Sequence, residues 1–274
     1  MHNSTDETVI AIDRGASFTD FGIVSRGGLE ETFSLEKRDW KSIAGIYEDL
    51  KATYPMGRAV FSGCAAGMPD GLRAHTSVVA EIDAIGFGGA ALAACNDCIV
   101  VSMGTGSAVV HFADNRTRHV GGTGVGGGTI KGLASLICGV ENPLEIEALA
   151  LKGNASKTSL TMGDLGYEEI SFLGADMTAS NFAHIQTKSR EDLAAGILRL
   201  VGETVGIIAS ICARESNCRD RIVMVGKVAG NQFIRQVLEL VGKLYGTKFL
   251  FPANPGFATV YGAALKYRYD QEAI

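Results

Sequence analysis

The chain has 274 residues, a formal net charge of −5 and 35 glycines, with 46% hydrophobic and 20% charged residues; this balance fits one large or two modest globular domains and excludes a disordered or fibrous chain. The absence of a long basic run, with only 7% aromatic residues, excludes a nucleic-acid surface. No apolar run reaches the roughly 18 residues of a membrane span, and the opening MHNSTDE lacks signal-peptide architecture, so a cytoplasmic protein with six reduced cysteines and no membrane partner is expected.

Residues 8–12, TVIAI, read as a buried strand ending at Asp13, and residues 21–35 read as two strands joined by a turn at Gly27 and Gly28. A helix over 40–53 and a strand over 58–62 follow. An apolar strand at 98–101, a glycine turn at 104–106 and a second strand at 107–112 then repeat the opening pattern. Next comes VGGTGVGGGTIKGL, residues 120–133, with six glycines between 121 and 128. It reads as a long loop entering helices at 129–139 and 143–151. Beyond a polar, poorly periodic stretch to about 175, apolar residues at helical spacing predict the longest helix over 191–215. A buried strand at 221–226, a helix at 231–242, a strand at 247–251 and a last helix from 257 close the chain. Two α/β halves, each opening with strand, turn and strand, place a ligand in the cleft between them.

Three turns carry chemistry suited to a phosphate. In DRGAS (13–17), Asp13 ends a strand and is followed by Gly15 and the hydroxyl of Ser17. A carboxylate there can hold Mg²⁺ through water, because this ion keeps most of its hydration when phosphates complete its shell. In SMGTGS (102–107), Gly104 and Gly106 allow close backbone approach, while Thr105 and Ser107 offer hydroxyls; amides in such turns form anion sites without a basic side chain. In the glycine-rich stretch, Gly122, Gly126, Gly127 and Gly128 would line the cleft, and a helix start near Thr129 would aim free N–H groups at an anion. The string GTGVGG also satisfies G-x-G-x-x-G. It does not follow the first strand of a βαβ unit, which argues against a dinucleotide site.

Together these stretches resemble the type II pantothenate kinases of the acetate and sugar kinase, heat-shock protein 70 and actin superfamily. The likeness rests on Asp13 to Ser17, AEIDA (80–84), GTGS (104–107), the glycine-rich stretch, DMTASNF (176–182), VGETVGIIASICARE (201–215) and GFATVYGAAL (256–265). It implies a duplicated RNase H-like, actin-like ATPase fold, with domains over 1–94 and 95–256 and residues 257–274 packing back on the first. It further implies a homodimer that binds Mg·ATP in the cleft and transfers a phosphoryl group to a primary hydroxyl, with Glu81 as base and Asp13 positioning the metal. Gly104, Thr105 and Gly106 match the second phosphate turn. MVGKVAGN (224–231), with Gly226 and Asn231, falls where the family contacts adenosine. Thr105, Arg118 and His119 fall on the acceptor side.

The sequence departs from that pattern at several positions. Ala16 and Ser17 replace a Gly and a Thr, Arg14 fills the variable position, and Asp20 stands where a Lys often follows the first turn. His119 stands where an Arg contacts the acid substrate, with Arg118 one residue earlier, and Ala108 replaces a substrate-holding Ser. These losses fall on the acceptor side. Two other readings therefore stay open beside a kinase for pantothenate or a related hydroxy acid: a non-catalytic nucleotide-binding regulator, and an activator of a metalloenzyme using Cys95 and Cys98 for an iron–sulfur cluster at a dimer interface. Against the latter, the C-x-x-C at 95–98 has no second ligand pair at metal spacing. Cys64, Cys138, Cys212 and Cys218 read as core thiols, and His75, His111 and His184 show no metal-like spacing. The 191–213 stripe reads as core or as a dimer face.

Overall fold

The computed structural model describes residues 8–36, 39–167, 169–170, 173–174 and 177–273. Its first lobe contains β1 (Val9–Arg14), β2 (Thr19–Ser25), β3 (Gly28–Leu35), α1 (Trp40–Thr53), β4 (Arg58–Gly63), α2 (Asp70–Arg73) and β5 (Thr76–Val78). The sheet order is β3-β2-β1-β4-β5; β1 to β3 run antiparallel, and β4 and β5 run parallel to β1.

Helix α3 (Glu81–Leu92) leads into the second lobe, which begins with β6 (Asp97–Met103), β7 (Ser107–Ala113), β8 (Arg116–Thr123), α4 (Gly127–Cys138) and α5 (Pro143–Ala150). Four short strands follow: β9 (Leu160–Thr161), β10 (Glu169–Ile170), β11 (Leu173–Gly174) and β12 (Thr178–Ser180), with β9 pairing β12 and β10 pairing β11. The chain ends with α6 (Arg190–Glu215), β13 (Ile222–Val225), α7 (Gln232–Tyr245), β14 (Phe249–Leu250) and α8 (Ala258–Glu272). The main sheet of this lobe runs β8-β7-β6-β13-β14, the order of the first lobe met a second time.

The apolar runs at the head of each lobe are explained by sheets covered on both faces. In β1, Ile10 and Ile12 pack with Ile43 and Tyr47 of α1, while Val9 and Ala11 pack with Val260, Ala263 and Ala264 of α8. In β6, Ile99, Val101 and Met103 face the core built on α6, and Cys98 and Val100 face α3. Side chains alternate across a strand, so a strand buried on both sides is apolar at every position. Each of these isoleucines is 0% exposed, which stabilises the fold by about 1.5–3 kcal/mol per side chain.

The last helix thus covers the first sheet, and α3 covers the second. The two helices cross in near contact. A Cβ at Gly262 would fall onto the carbonyl oxygen of Ala84, and one at Gly88 onto that of Ala258. Helix α6, capped by Ser189 accepting from the Asp192 amide, is long and apolar enough to cross a membrane by length and composition, which the sequence reading did not expect because Arg199 and Glu203 break its apolar run. Ala194, Ala195, Ile197, Leu198 and Val201 along it are 0% exposed, so the stripe is core.

Two elements differ from the sequence reading. Val120 to Thr123 belong to β8, and α4 starts at Gly127, leaving a connection of only three residues where a long loop was expected. Helix α3 was not foreseen, because GFGGAAL carries little amphipathic contrast.

Candidate active site

The three glycine-rich turns converge between the lobes. The hydroxyls of Ser17 and Thr105, 88 residues apart in sequence, lie 2.9 Å from each other, so the first and second turns touch at their exposed crests. Beneath them the six-glycine stretch packs backbone to backbone on the second turn. The amide of Gly127 donates to Gly104 O at 2.7 Å, and that of Gly128 to Thr105 O at 2.9 Å. A Cβ on Gly126 would stand 2.7 Å from Gly106 O, and one on Gly128 2.8 Å from Thr105 Cγ2. What approaches this backbone so closely is the G-T-G turn itself.

Several sequence expectations change in consequence. The first amides of α4 are held by Gly104 and Thr105, so Gly127 and Gly128 shape the turn instead of aiming free N–H groups at an anion. Gly122 makes room in the same way: a Cβ there would lie 2.7 Å from Ser107 O. Ser107 is buried, and its Oγ donates to Val125 O at 2.8 Å, bracing the loop from within. Asn231 caps α7 by accepting from the Ile234 amide at 2.9 Å. Gly226 sits at φ +86, where a Cβ would be 2.5 Å from Met103 O, and so lets β13 close against the end of β6 just before the second turn. Gly15 and the exposed Ala16, Ser17, Gly104 and Thr105 remain at the rim of the cleft.

Asp13 lies at the floor. Its Oδ1 is buried without a hydrogen-bond partner among the described residues. Gly63, at φ +82 on the end of β4, closes over it so tightly that a Cβ would stand 2.8 Å from that oxygen. Burial, with the Glu81 and Asp20 carboxylates nearby, pushes the Asp13 carboxyl up to about 7, while Lys227 pulls it down. An orphaned carboxylate oxygen beside two further carboxylates is a hard, anionic donor set that suits a hydrated Mg²⁺. Glu81 is exposed at the first position of α3, and its negative charge reaches Asp13.

Lys227 was missed by the sequence reading. From the residue after Gly226 it crosses to the first lobe, placing Nζ 2.7 Å from Asp20 Oδ1 and 2.7 Å from Ser34 Oγ, between the rings of Phe18 and Phe257 at 5.0 Å each. The signal available in the sequence was an acid at 20, where a lysine often stands, and a lysine beside Gly226. Arg14, by contrast, is engaged away from the cleft, stacked 4.5 Å over Trp40 with Nη1 donating to Cys64 O and Ala66 O.

In β7, Val110 and Phe112 face α3 and pair with His119 and Thr117 of β8. Thr117 donates to the Asp83 carboxylate of α3. His119 therefore points to the face where α3 begins with Glu81, as does Ala108, which pairs with Gly122. Arg118 pairs with His111 on the opposite face, which separates it from Glu81. In DMTASNF, Asp176 lies outside the described residues. Thr178 and Asn181 donate to the two carboxylate oxygens of Glu203 at 2.8 and 3.0 Å, and Arg199 donates to Oε1 at 3.1 Å, which ties that segment to VGETVG. Cys98 is fully buried in the β6 core, and burial pushes its thiol up to about 12, so Cys95 and Cys98 do not form an exposed ligand pair for a shared cluster.

Two sheets of one topology, facing each other across paired glycine turns and an acidic floor, define a duplicated actin-like ATPase fold. Solved structures of that fold align over nearly the whole chain. They include the 2-hydroxyglutaryl-CoA dehydratase component A of Acidaminococcus fermentans, with TM-score 0.67, 16% identity, and 98% of this chain and 100% of that one covered. The activator of 2-hydroxyisocaproyl-CoA dehydratase from Clostridium difficile with bound ADPNP has TM-score 0.63, 16% identity, and 97% and 98% covered. A ROK family glucokinase from Streptomyces griseus, in complex with glucose and AMPPNP, has TM-score 0.59, 13% identity, and 94% and 98% covered.

The chain belongs to the Fumble family, whose model matches residues 93–266. Among curated proteins it is 26% identical to the type II pantothenate kinase of Staphylococcus aureus strain USA300 over 267 residues, covering 93% of this chain and 97% of that one. The family and the fold make it a small-molecule kinase by class.

Proposed function

We propose that the protein transfers the γ-phosphoryl group of ATP to the primary hydroxyl of pantothenate or a closely related hydroxy acid. The observation that carries this reading is the meeting of the two glycine turns at Ser17 and Thr105, the first of them opening from the strand end where Asp13 Oδ1 is buried without a partner and feels the charge of Glu81. Phosphoryl transfer requires positioning and charge neutralisation more than covalent chemistry, and these groups supply both.

The exposed crests of the two turns hold the phosphate tail, and the ammonium of Lys227 adds a positive charge at the lobe junction. Asp13, with Glu81 near it, would hold Mg²⁺ through water, and the ion when bound neutralises phosphate charge. Glu81 accepts the proton of the acceptor hydroxyl as its oxygen bonds to the γ-phosphorus and the bond to the β-phosphate oxygen breaks, leaving ADP. His119, Ala108 and Gly122 line the strand face next to Glu81 and set the room and polarity available to the acceptor's acid group. An imidazole in place of a bidentate guanidinium, with Arg118 on the other face, supports a weaker or altered grip on a carboxylate.

The test is ADP release and product formation over a panel of pantothenate, pantetheine and other hydroxy acids. Glu81→Gln should lower kcat about 10²- to 10⁴-fold and leave ATP affinity unchanged. Full turnover in that variant would remove Glu81 as base. Saturable ATP binding with no acceptor turned over would instead favour a nucleotide-binding regulator, the reading supported by Ala108 and His119.

A further inference from the structure

Far from the glycine turns, three side chains that share no sequence motif come together at the opposite end of the second sheet. Asp97 starts β6, His111 lies near the end of β7, and Cys218 sits in the connection from α6 to β13. Asp97 Oδ1 lies 3.0 Å from His111 Nε2 and 3.2 Å from Cys218 Sγ, and the latter two are 3.8 Å apart. Ligand bonds of about 2.0–2.3 Å in a tetrahedral zinc site place neighbouring ligand atoms roughly 3.3–3.6 Å from one another. The three atoms therefore already outline one face of such a tetrahedron.

Their surroundings fit the same use. Cys218 is 0% exposed and the His111 side chain 19%, so two donors are held in place by packing. Arg221 donates from Nη2 to Asp97 Oδ2 at 3.0 Å, which fixes the carboxylate through its other oxygen and leaves Oδ1 turned toward His111 and Cys218. Metal-binding carboxylates are commonly oriented by such outer contacts. A cavity of about 250 Å³ lined by Asn217, Arg219, Asp220 and Arg221 opens on the outer side of the Arg221 guanidinium, which contacts both Asp97 and Cys218. Thiolate, imidazole and carboxylate together select a borderline-soft ion over Mg²⁺.

We propose that Asp97, His111 and Cys218 bind one Zn²⁺, with water as fourth ligand, as a clip joining β6, β7 and the approach to β13. Binding releases the Cys218 thiol proton and places the His111 proton on Nδ1, so that carboxylate and thiolate balance the two charges of the ion and Arg221 remains as a nearby cation. Six steps of β6 separate the cluster from the second glycine turn, about 20 Å. The site is therefore independent of the kinase reading.

The experiment uses the full chain with the more accessible thiols removed (Cys64→Ser, Cys95→Ser), stripped with chelator and titrated with Zn²⁺ against a chromophoric competitor. One equivalent should bind, the melting temperature should rise with zinc, and His111→Gln should weaken binding about 100-fold or more. Cobalt loading should give a thiolate-to-metal absorption that Cys218→Ser lacks. Because His111 is partly exposed, its variant keeps the test valid where Cys218→Ser does not fold. Less than about a fifth of an equivalent bound, equal uptake by His111→Gln, or a cobalt spectrum without the thiolate band would each overturn the site.

Discussion

Asp13 shows how a fold can hold one residue in an unfavourable state. Burial, reinforced by the charges of Glu81 and Asp20, pushes its carboxyl up to about 7 from the 3.8 of an ordinary aspartate. Between those two values the native state binds more protons than the unfolded chain, so the metal-free protein loses stability as pH rises through that window. The cost is absent below about pH 4 and complete above about pH 7, and roughly 4 kcal/mol is its upper limit. Asp13→Asn should therefore melt at a higher temperature than wild type in EDTA at pH 8, match it near pH 4, and lose turnover. An unchanged melting temperature at pH 8 would show that the Asp13 environment is solvated. The same floor was readable from a strand-end acid in DRGAS; the fate of Ser107 and Asn231 was not. Both have the right chemistry for a ligand, and both are committed to internal partners, Val125 O and the Ile234 amide.

At the scale of elements, what the sequence revealed depended on how each element is buried. Strands β1 and β6 are covered on both faces and are written as unbroken apolar runs, and α6 carries its period over 26 residues. Helix α3 meets the opposite condition. Its contact with α8 is made by glycines and alanines, because only small residues let two backbones come so near, and this removes the contrast between faces that identifies a helix. For the same reason the glycines of β8 read as loop. Gly262→Ala should force α3 and α8 apart and lower the melting temperature by well over 5 °C. Gly45→Ala in α1, where a Cβ meets nothing within 4 Å, should instead stabilise by up to about 1 kcal/mol. Equal effects in thermal unfolding would show that helix propensity, not the crossing, sets the response at 262.

Across the whole molecule, the lobes are joined at the cleft by the Ser17–Thr105 contact and by Lys227, which reaches from the second lobe to Asp20 and Ser34 of the first. The ammonium is partly sheltered by two aromatic rings and opposes the acidic floor around Asp13. In this chain the acid stands on β2 and the lysine that meets it comes from the other lobe. A charge that serves the phosphate tail should work from either side of the junction. Lys227→Met should raise the Kd for Mg·ATP by about tenfold, equivalent to roughly 1.4 kcal/mol, as measured by calorimetry. The exchanged variant Asp20→Lys with Lys227→Asp should recover most of that affinity, since it returns an ammonium to the same junction. Recovery of the melting temperature without recovery of nucleotide affinity would mean that the pair only pins the lobes together, and that the turns hold the phosphates unaided.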